Sequence, residues 1–257
     1  MMGAEPHCPL TVGSAPYAQA VELPSKTRIR KCGELIRSAR FDPDFPYDVT
    51  QLGEALDVVK LFRRAHQEPM AGVRNGLTSM VNTLGFDPVI TQRLKRSERI
   101  IRKLHRSVGS PHGRTTIDRL EDIGGVRVIL PDQAAVRMLA DRIAQRWDVH
   151  RDRDYVSKPQ TTGYWARHIV VIRDSRFVEI QLRTPWEQSW ADAVEAADNR
   201  LGLTLKDGIG PESMITYFAL AAKQLRAREL GTSVDRATLE AFRKAREQVV
   251  HEGYYKA

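Results

Sequence analysis

The sequence predicts an α+β protein, a mixed β-sheet with flanking helices before, across and after it. Three observations carry this expectation. Apolar residues recur at intervals of three and four in the first hundred residues and again beyond residue 185. Between them the period shortens to two, with glycines and turn residues separating the runs. Finally, 42% hydrophobic and 28% charged residues in a chain of 257 suffice for one large or two small domains with an ordinary core.

No run reaches the ~18 apolar residues that a membrane span needs, and the first thirty residues lack the apolar stretch of a secretory signal. A cytoplasmic protein without membrane insertion is the expectation. The two cysteines, Cys8 and Cys32, fit neither a metal-ligand spacing nor a disulfide framework.

Residues 1–48 read as a loose arm, residues 49–211 as the main domain and residues 212–257 as a helical extension. Leu52, Leu56, Val59 and Phe62 mark one helix over 49–64, and Val73, Leu77, Met80 and Leu84 mark a second after Pro69. A third is predicted over 88–106, with Leu94, Ile101 and Leu104 on one side and Arg96, Arg99, Lys103 and Arg106 on another. Strands are predicted over 126–130 and 149–156, separated by a helix over 133–147. A turn-rich linker over 157–163 leads to a hairpin of strands 164–172 and 176–182. Pro185 opens a helix expected to bury Trp186, Trp190, Val194 and Ala197. One helix through Met214, Phe218 and Leu225 and another through Leu239, Phe242 and Val249 finish the chain.

The net charge of +8 is concentrated: residues 51–110 hold eleven basic and five acidic groups, whereas residues 111–211 are balanced at fifteen each. Arg93, Lys95, Arg96, Arg99, Arg102, Lys103 and Arg106, opposed only by Glu98, point to a phosphate-rich partner, nucleotide or nucleic acid.

On the strand through Arg176, period two places Glu179, Gln181 and Arg183 on the face opposite Val178, Ile180 and Leu182. A solvent-exposed strand face would show the same alternation. The neighbouring strand adds Tyr164 and His168 beside Gly163, an aromatic ring among polar groups of the kind on which a nucleobase stacks. Asp122 is a second carboxylate that could join Glu179 in holding Mg²⁺, which takes one or two carboxylates plus substrate phosphates; Asp before Gly is also a common turn residue.

Five blocks occur in the order and spacing of the RelA/SpoT nucleotide pyrophosphokinase domain. They are Arg93-Leu94-Lys95-Arg96 with Lys103-Leu104; Asp122-Ile123-Gly124-Gly125-Val126-Arg127; Asp154-Tyr155-Val156 with Pro159, Gly163-Tyr164 and His168; Glu179-Ile180-Gln181-Leu182-Arg183-Thr184; and Trp190-Ala191 with Glu195. The chain resembles that domain over roughly residues 90–200, with Arg63, Arg64, His66 and Pro69 similar to its lead-in. Within it, the chain looks most like the toxic small alarmone synthetases of phages and toxin-antitoxin loci.

The resemblance implies a nucleotidyltransferase-like synthetase fold that moves pyrophosphate from ATP to a ribose 3′-hydroxyl. It implies that Arg93, Lys95, Arg96, Lys103 and Arg127 bind ATP, and that Asp122 and Glu179 hold Mg²⁺, Glu179 also orienting or deprotonating the hydroxyl. Tyr164, His168, Gln181 and Arg183 fall on the acceptor side, with Tyr164 as the stacking ring. The acceptors implied are the 3′ end of tRNA, modified by a growth-inhibiting toxin with an antitoxin or immunity protein as partner, or free GDP, GTP or adenine nucleotides. A catalytically decayed RNA-binding protein is the third reading. The chain departs from the pattern at Gln160, where the family has Lys, at Trp165 and Ala166, and at Arg99, where it has Ser. It contains no His-Asp dipeptide, so hydrolase activity is not expected.

Overall fold

Strands β1 (Val89–Leu94), β2 (Gly124–Ile129), β3 (Val149–Asp154), β4 (Arg167–Arg173) and β5 (Arg176–Arg183) form one sheet in the order β1-β2-β5-β4-β3. The computed structural model describes residues 23–107 and 115–255. β2 and β5 run parallel and the other neighbours antiparallel, which is the mixed sheet expected. The helices are α1 (Lys26–Phe41), α2 (Val49–Arg64), α3 (Gln67–Thr83), α4 (Ser97–Arg106), α5 (Gln133–Arg146), α6 (Pro185–Leu201), α7 (Glu212–Glu229) and α8 (Arg236–His251).

Alternation decides which face of the sheet is dry. Val126, Val128, Ile169, Val171, Val178, Ile180 and Leu182 are all buried on one face, where α3 and α5 cover them with Val73, Leu77, Leu139 and Ile143. Each such side chain contributes about 1.5–3 kcal/mol of burial. The opposite face carries the polar residues. On one side of it α1, α2 and α4 share a core of Ile29, Ile36, Val59, Phe62, Ile100 and Leu104. On the other, α6, α7 and α8 bury Trp165, Trp190, Phe218 and Val249.

Local chemistry fixes the joints. Asp174 and Ser175 take positive φ of 48° and 59° between the paired Arg173 and Arg176, a two-residue hairpin turn that matches the strand twist. Thr184 and Glu187 form a capping box at the start of α6, with Pro185 in its first turn.

Several expectations are corrected. The arm expected over 1–48 contains α1, capped by Ser25 and tied by Arg30 to Asp118 at 2.7 Å; residues 1–22, including Cys8, lie outside the described residues. The single helix expected over 88–106 is two elements, β1 and α4. Its β-branched start, Val89, Ile90 and Thr91, pairs antiparallel with β2 because Ile90 and Leu94 then reach the sheet core. Of the four cations expected on one helical face, Arg99, Lys103 and Arg106 lie in α4, whereas Arg96 is its extended N-cap. Trp186, Leu56 and Leu239, expected inward, are each more than a third exposed. Tyr164 precedes β4 rather than lying in it.

Candidate active site

Register sets the floor of the site. Arg93, Gly125, Glu179 and Val170 stand side by side across β1, β2, β5 and β4, and Thr91, Arg127, Gln181 and His168 form the next row. Because all these positions lie on the face away from the α3/α5 core, their side chains share one surface. Gly125 puts no side chain between Arg93 and Glu179.

The sheet edge supplies the charges above that floor. Lys95 follows β1, its backbone N–H donating to the Ile123 carbonyl at 2.8 Å, and Asp122 lies two residues before β2. Lys95 Nζ is 2.5 Å and Lys103 Nζ 2.7 Å from the same oxygen, Oδ2 of Asp122. Oδ1 of Asp122 is buried without a hydrogen-bond partner. Burial alone would raise the Asp122 carboxyl, but Lys103 and Lys95 together hold it below its usual value. Burial also lowers the Lys95 ammonium, against the attraction of Asp122 and with the repulsion of Lys103.

Each carboxylate oxygen of Glu179 has a side-chain partner. His168 Nδ1 is 3.0 Å from Oε1 and Gln181 Nε2 donates to Oε2 at 2.8 Å. Burial pushes this carboxyl up, yet the His168 and Gln181 hydrogen bonds leave it below its usual value despite the charge of Asp122.

A cavity of about 570 Å³ unites these groups. Arg93, Lys95, Arg96, Asp122, Arg127, Glu179 and Gln181 line it, together with Arg63, Arg99, Glu195 and Asn199. Cations crowd the site. Burial, Arg183 and Arg93 all lower the Arg127 guanidinium, as expected where an anion is to be bound.

The residues expected from sequence thus divide into two sets. Those for ATP and metal meet around the cavity, Lys103 through its contact with Asp122. His168, Tyr164 and Arg183 are not among the residues that line the cavity. Tyr164, expected to be a stacking platform, is 7% exposed. Its ring lies 5.9 Å from those of Tyr155 and Trp190, and the Arg183 guanidinium lies over it at 5.5 Å. It is buried because α7 closes on the preceding turn, where Gly163 has φ +90° and a Cβ would meet Ala222 Cβ at 2.7 Å. Arg183 is also buried, not facing open solvent.

Sequence reasoning gave no role to Asn199, which lies one turn after Glu195 on α6, nor to Lys206. Lys206 is 3.7 Å from Glu195, and Arg106 pairs with its neighbour Asp207 across to α4. Polar residues four apart on a helix are the signal that could have found Asn199; Lys206 has none. Among the described residues no three His, Cys, Asp or Glu side chains are grouped as a metal site. The candidate donor set is the carboxylate pair Asp122 and Glu179.

Residues 92–199 match the region found in RelA / SpoT proteins. Most of the strands and helices that build the cavity fall within this matched region. Among solved structures, a GTP pyrophosphokinase family protein from Streptococcus pneumoniae is similar at 18% identity and TM-score 0.55, covering 76% of this chain and 96% of its own. Small alarmone synthetase 1 from Bacillus subtilis, solved bound to its product pppGpp, is similar at 19% identity and TM-score 0.53, covering 77% and 100%. Small alarmone synthetase 2 from the same organism gives 19% and 0.53, covering 66% and 95%. These likenesses establish a shared fold, and no curated protein sequence matches the chain.

Proposed function

We propose that the protein transfers the β,γ-pyrophosphate of ATP to the 3′-hydroxyl of a free purine nucleotide. The observation that carries this reading is the cavity in which Lys95 and Lys103 hold Asp122 on one side and Glu179 stands on the other, inside the RelA/SpoT region. The likeness to a synthetase bound to pppGpp supports a nucleotide acceptor.

The acceptor O3′ attacks the β-phosphorus, the bond from that phosphorus to the bridging oxygen of the α-phosphate breaks, and AMP leaves. Arg93, Lys95, Arg96, Lys103 and Arg127 neutralise and align the triphosphate, which is most of what a phosphoryl transfer asks of a protein. Glu179, held ionised, orients O3′ and takes its proton. The residues fit Mg²⁺: Asp122 keeps a buried, unpartnered oxygen, and two carboxylates are the usual protein share of a magnesium site completed by phosphates. When bound, the ion would neutralise charge on the transferring phosphates.

A second reading, pyrophosphorylation of the tRNA 3′ end by a growth-arresting toxin held by an antitoxin, rests on a different feature. Arg243, Lys244 and Arg246 on α8 and Arg102 on α4 are exposed and have no ion-pair partner among the described residues. Such cations suit an extended polyanion. The test is to incubate the protein with ATP labelled on the γ-phosphate and offer GDP, GTP, adenine nucleotides and deacylated tRNA separately. Label on a mononucleotide supports the first reading, and label on tRNA alone supports the second.

A further inference from the structure

A second cavity, of about 350 Å³, lies on the side of the sheet away from Glu179 and shares no lining residue with the first. Strand alternation explains where it falls. In β4 the dry file of Val171 and Ile169 ends in Arg167, which pairs with Leu182 of β5 and with Asp154 of β3. The apolar floor of the sheet therefore stops at an arginine. Beyond it the first turn of α5 and the end of α7 enclose a space with Gln133, Val136 and Leu230. Three hydrogen bonds hold its walls. Arg226 NH2 donates to the Val156 carbonyl at 2.7 Å, and Gln133 Nε2 and Trp165 Nε1 donate to the two carboxylate oxygens of Glu229 at 3.1 and 3.4 Å.

We propose that this cavity binds a small amphipathic anion, a carboxylate carried on a compact aromatic or aliphatic body. Its size falls within the about 300–1,000 Å³ usual for ligand sites, which combine apolar walls with a few polar groups. The walls are Val136, Val156, Trp165 and Leu230. Trp165, buried here, is a position at which the chain departs from the RelA/SpoT pattern, and Leu230 is exposed at the rim. The charges select the ligand's sign. Both carboxylates of the lining are engaged, Glu229 as above and Asp154 by the backbone N–H groups of Val156 and Ser157 at 2.9 and 3.0 Å. Arg167 is neutralised by Asp152, to which its NH2 donates at 2.8 Å. Arg137 and Arg226 form no ion pair among the described residues, so two uncompensated guanidinium groups line apolar surface. A guanidinium matches a carboxylate in both charge and planar geometry.

Titration of the full chain with naphthoate, and with naphthalenemethanol as its uncharged counterpart, tests the proposal without any turnover. We expect naphthoate to bind with a Kd below about 1 mM and naphthalenemethanol about tenfold more weakly, the difference made by one charge-assisted contact. Arg137 is exposed, so Arg137→Gln should fold as wild type does; it should weaken naphthoate about fivefold to tenfold and leave naphthalenemethanol unchanged. Leu230→Ser, also at an exposed position, should weaken both probes together. Equal affinity for the two probes, an unchanged naphthoate Kd in Arg137→Gln, or no binding up to about 5 mM overturns the assignment. Displacement of naphthoate by ATP also overturns it, since the probe would then occupy the cavity beside Glu179.

Discussion

Lys103 and Asp122 meet at 2.7 Å on the same carboxylate oxygen that Lys95 approaches, while the other oxygen of Asp122 is buried without a hydrogen-bond partner. Asp122→Asn should therefore leave two close ammonium groups without their counter-charge. We expect transfer to drop at least ~100-fold and stability by about 1–3 kcal/mol, less than the ~3–5 kcal/mol for breaking a fully buried pair because the lysine side chains are partly exposed. Denaturant melts at two pH values check the sign. A carboxyl held below its usual value stabilises the fold above the unfolded value and loses that contribution as pH falls through the folded one. The difference between wild type and Asp122→Asn should accordingly shrink in acid.

Gly163→Ala tests what buries Tyr164. The backbone there has φ +90°, and the new methyl would lie 2.7 Å from Ala222 Cβ and 2.9 Å from Ala219 Cα. Destabilisation of about 2–4 kcal/mol is expected from strain and overpacking together, with increased protease cleavage near α7. A melting temperature equal to wild type would mean that α7 is not seated on this turn.

Glu187 predicts a pH dependence near neutrality. It is 1% exposed, shares the Gln133 amide with Glu229, and burial, with Glu229 adding to it, pushes its carboxyl up to about 7. A folded value above the unfolded one means that the native state holds the proton more tightly, so stability falls as pH rises from about 4.5 to about 7, by roughly 3 kcal/mol in total. Glu187→Gln should flatten that part of the stability curve. An unchanged slope would mean that Glu187 does not carry it.

Much of this arrangement was legible in the sequence, and the failures share a cause. The alternation through Val178, Ile180 and Leu182 placed Glu179 and Gln181 on one face correctly, because a strand packed on one side keeps period two. β1 was misread as helix because Leu94, Ile101 and Leu104 happen to fit a helical spacing, and only pairing with β2, thirty residues on, makes Val89–Leu94 a strand. The site residues of Asp122 and Lys95 were found by type and order. The burial of Tyr164 was not readable, since it depends on Ala219 and Ala222, more than fifty positions later. α1 was missed because its apolar contacts, Ile29 and Ile36, are spaced among charged residues.

Charge reversal separates the acceptors. Changing Arg243, Lys244 and Arg246 to Glu should leave transfer to a mononucleotide within about twofold at every salt concentration, because a pocket-bound ligand releases few counterions. If tRNA is the acceptor, its labelling in wild type falls steeply with salt and the variant loses it. Superimposable salt curves for tRNA in the two proteins would remove the electrostatic support for the second reading.

The most direct measurement follows the phosphates of the donor. ATP labelled separately at the β and γ positions is supplied with the acceptor that the panel identifies, and products are resolved for wild type and Glu179→Gln. Pyrophosphate transfer by the Asp122/Glu179 site predicts that both labels reach the acceptor in equal amount, that AMP appears in step, and that Glu179→Gln abolishes all three while still binding ATP. Transfer of the γ-label alone with release of ADP, or full activity in Glu179→Gln, would contradict it.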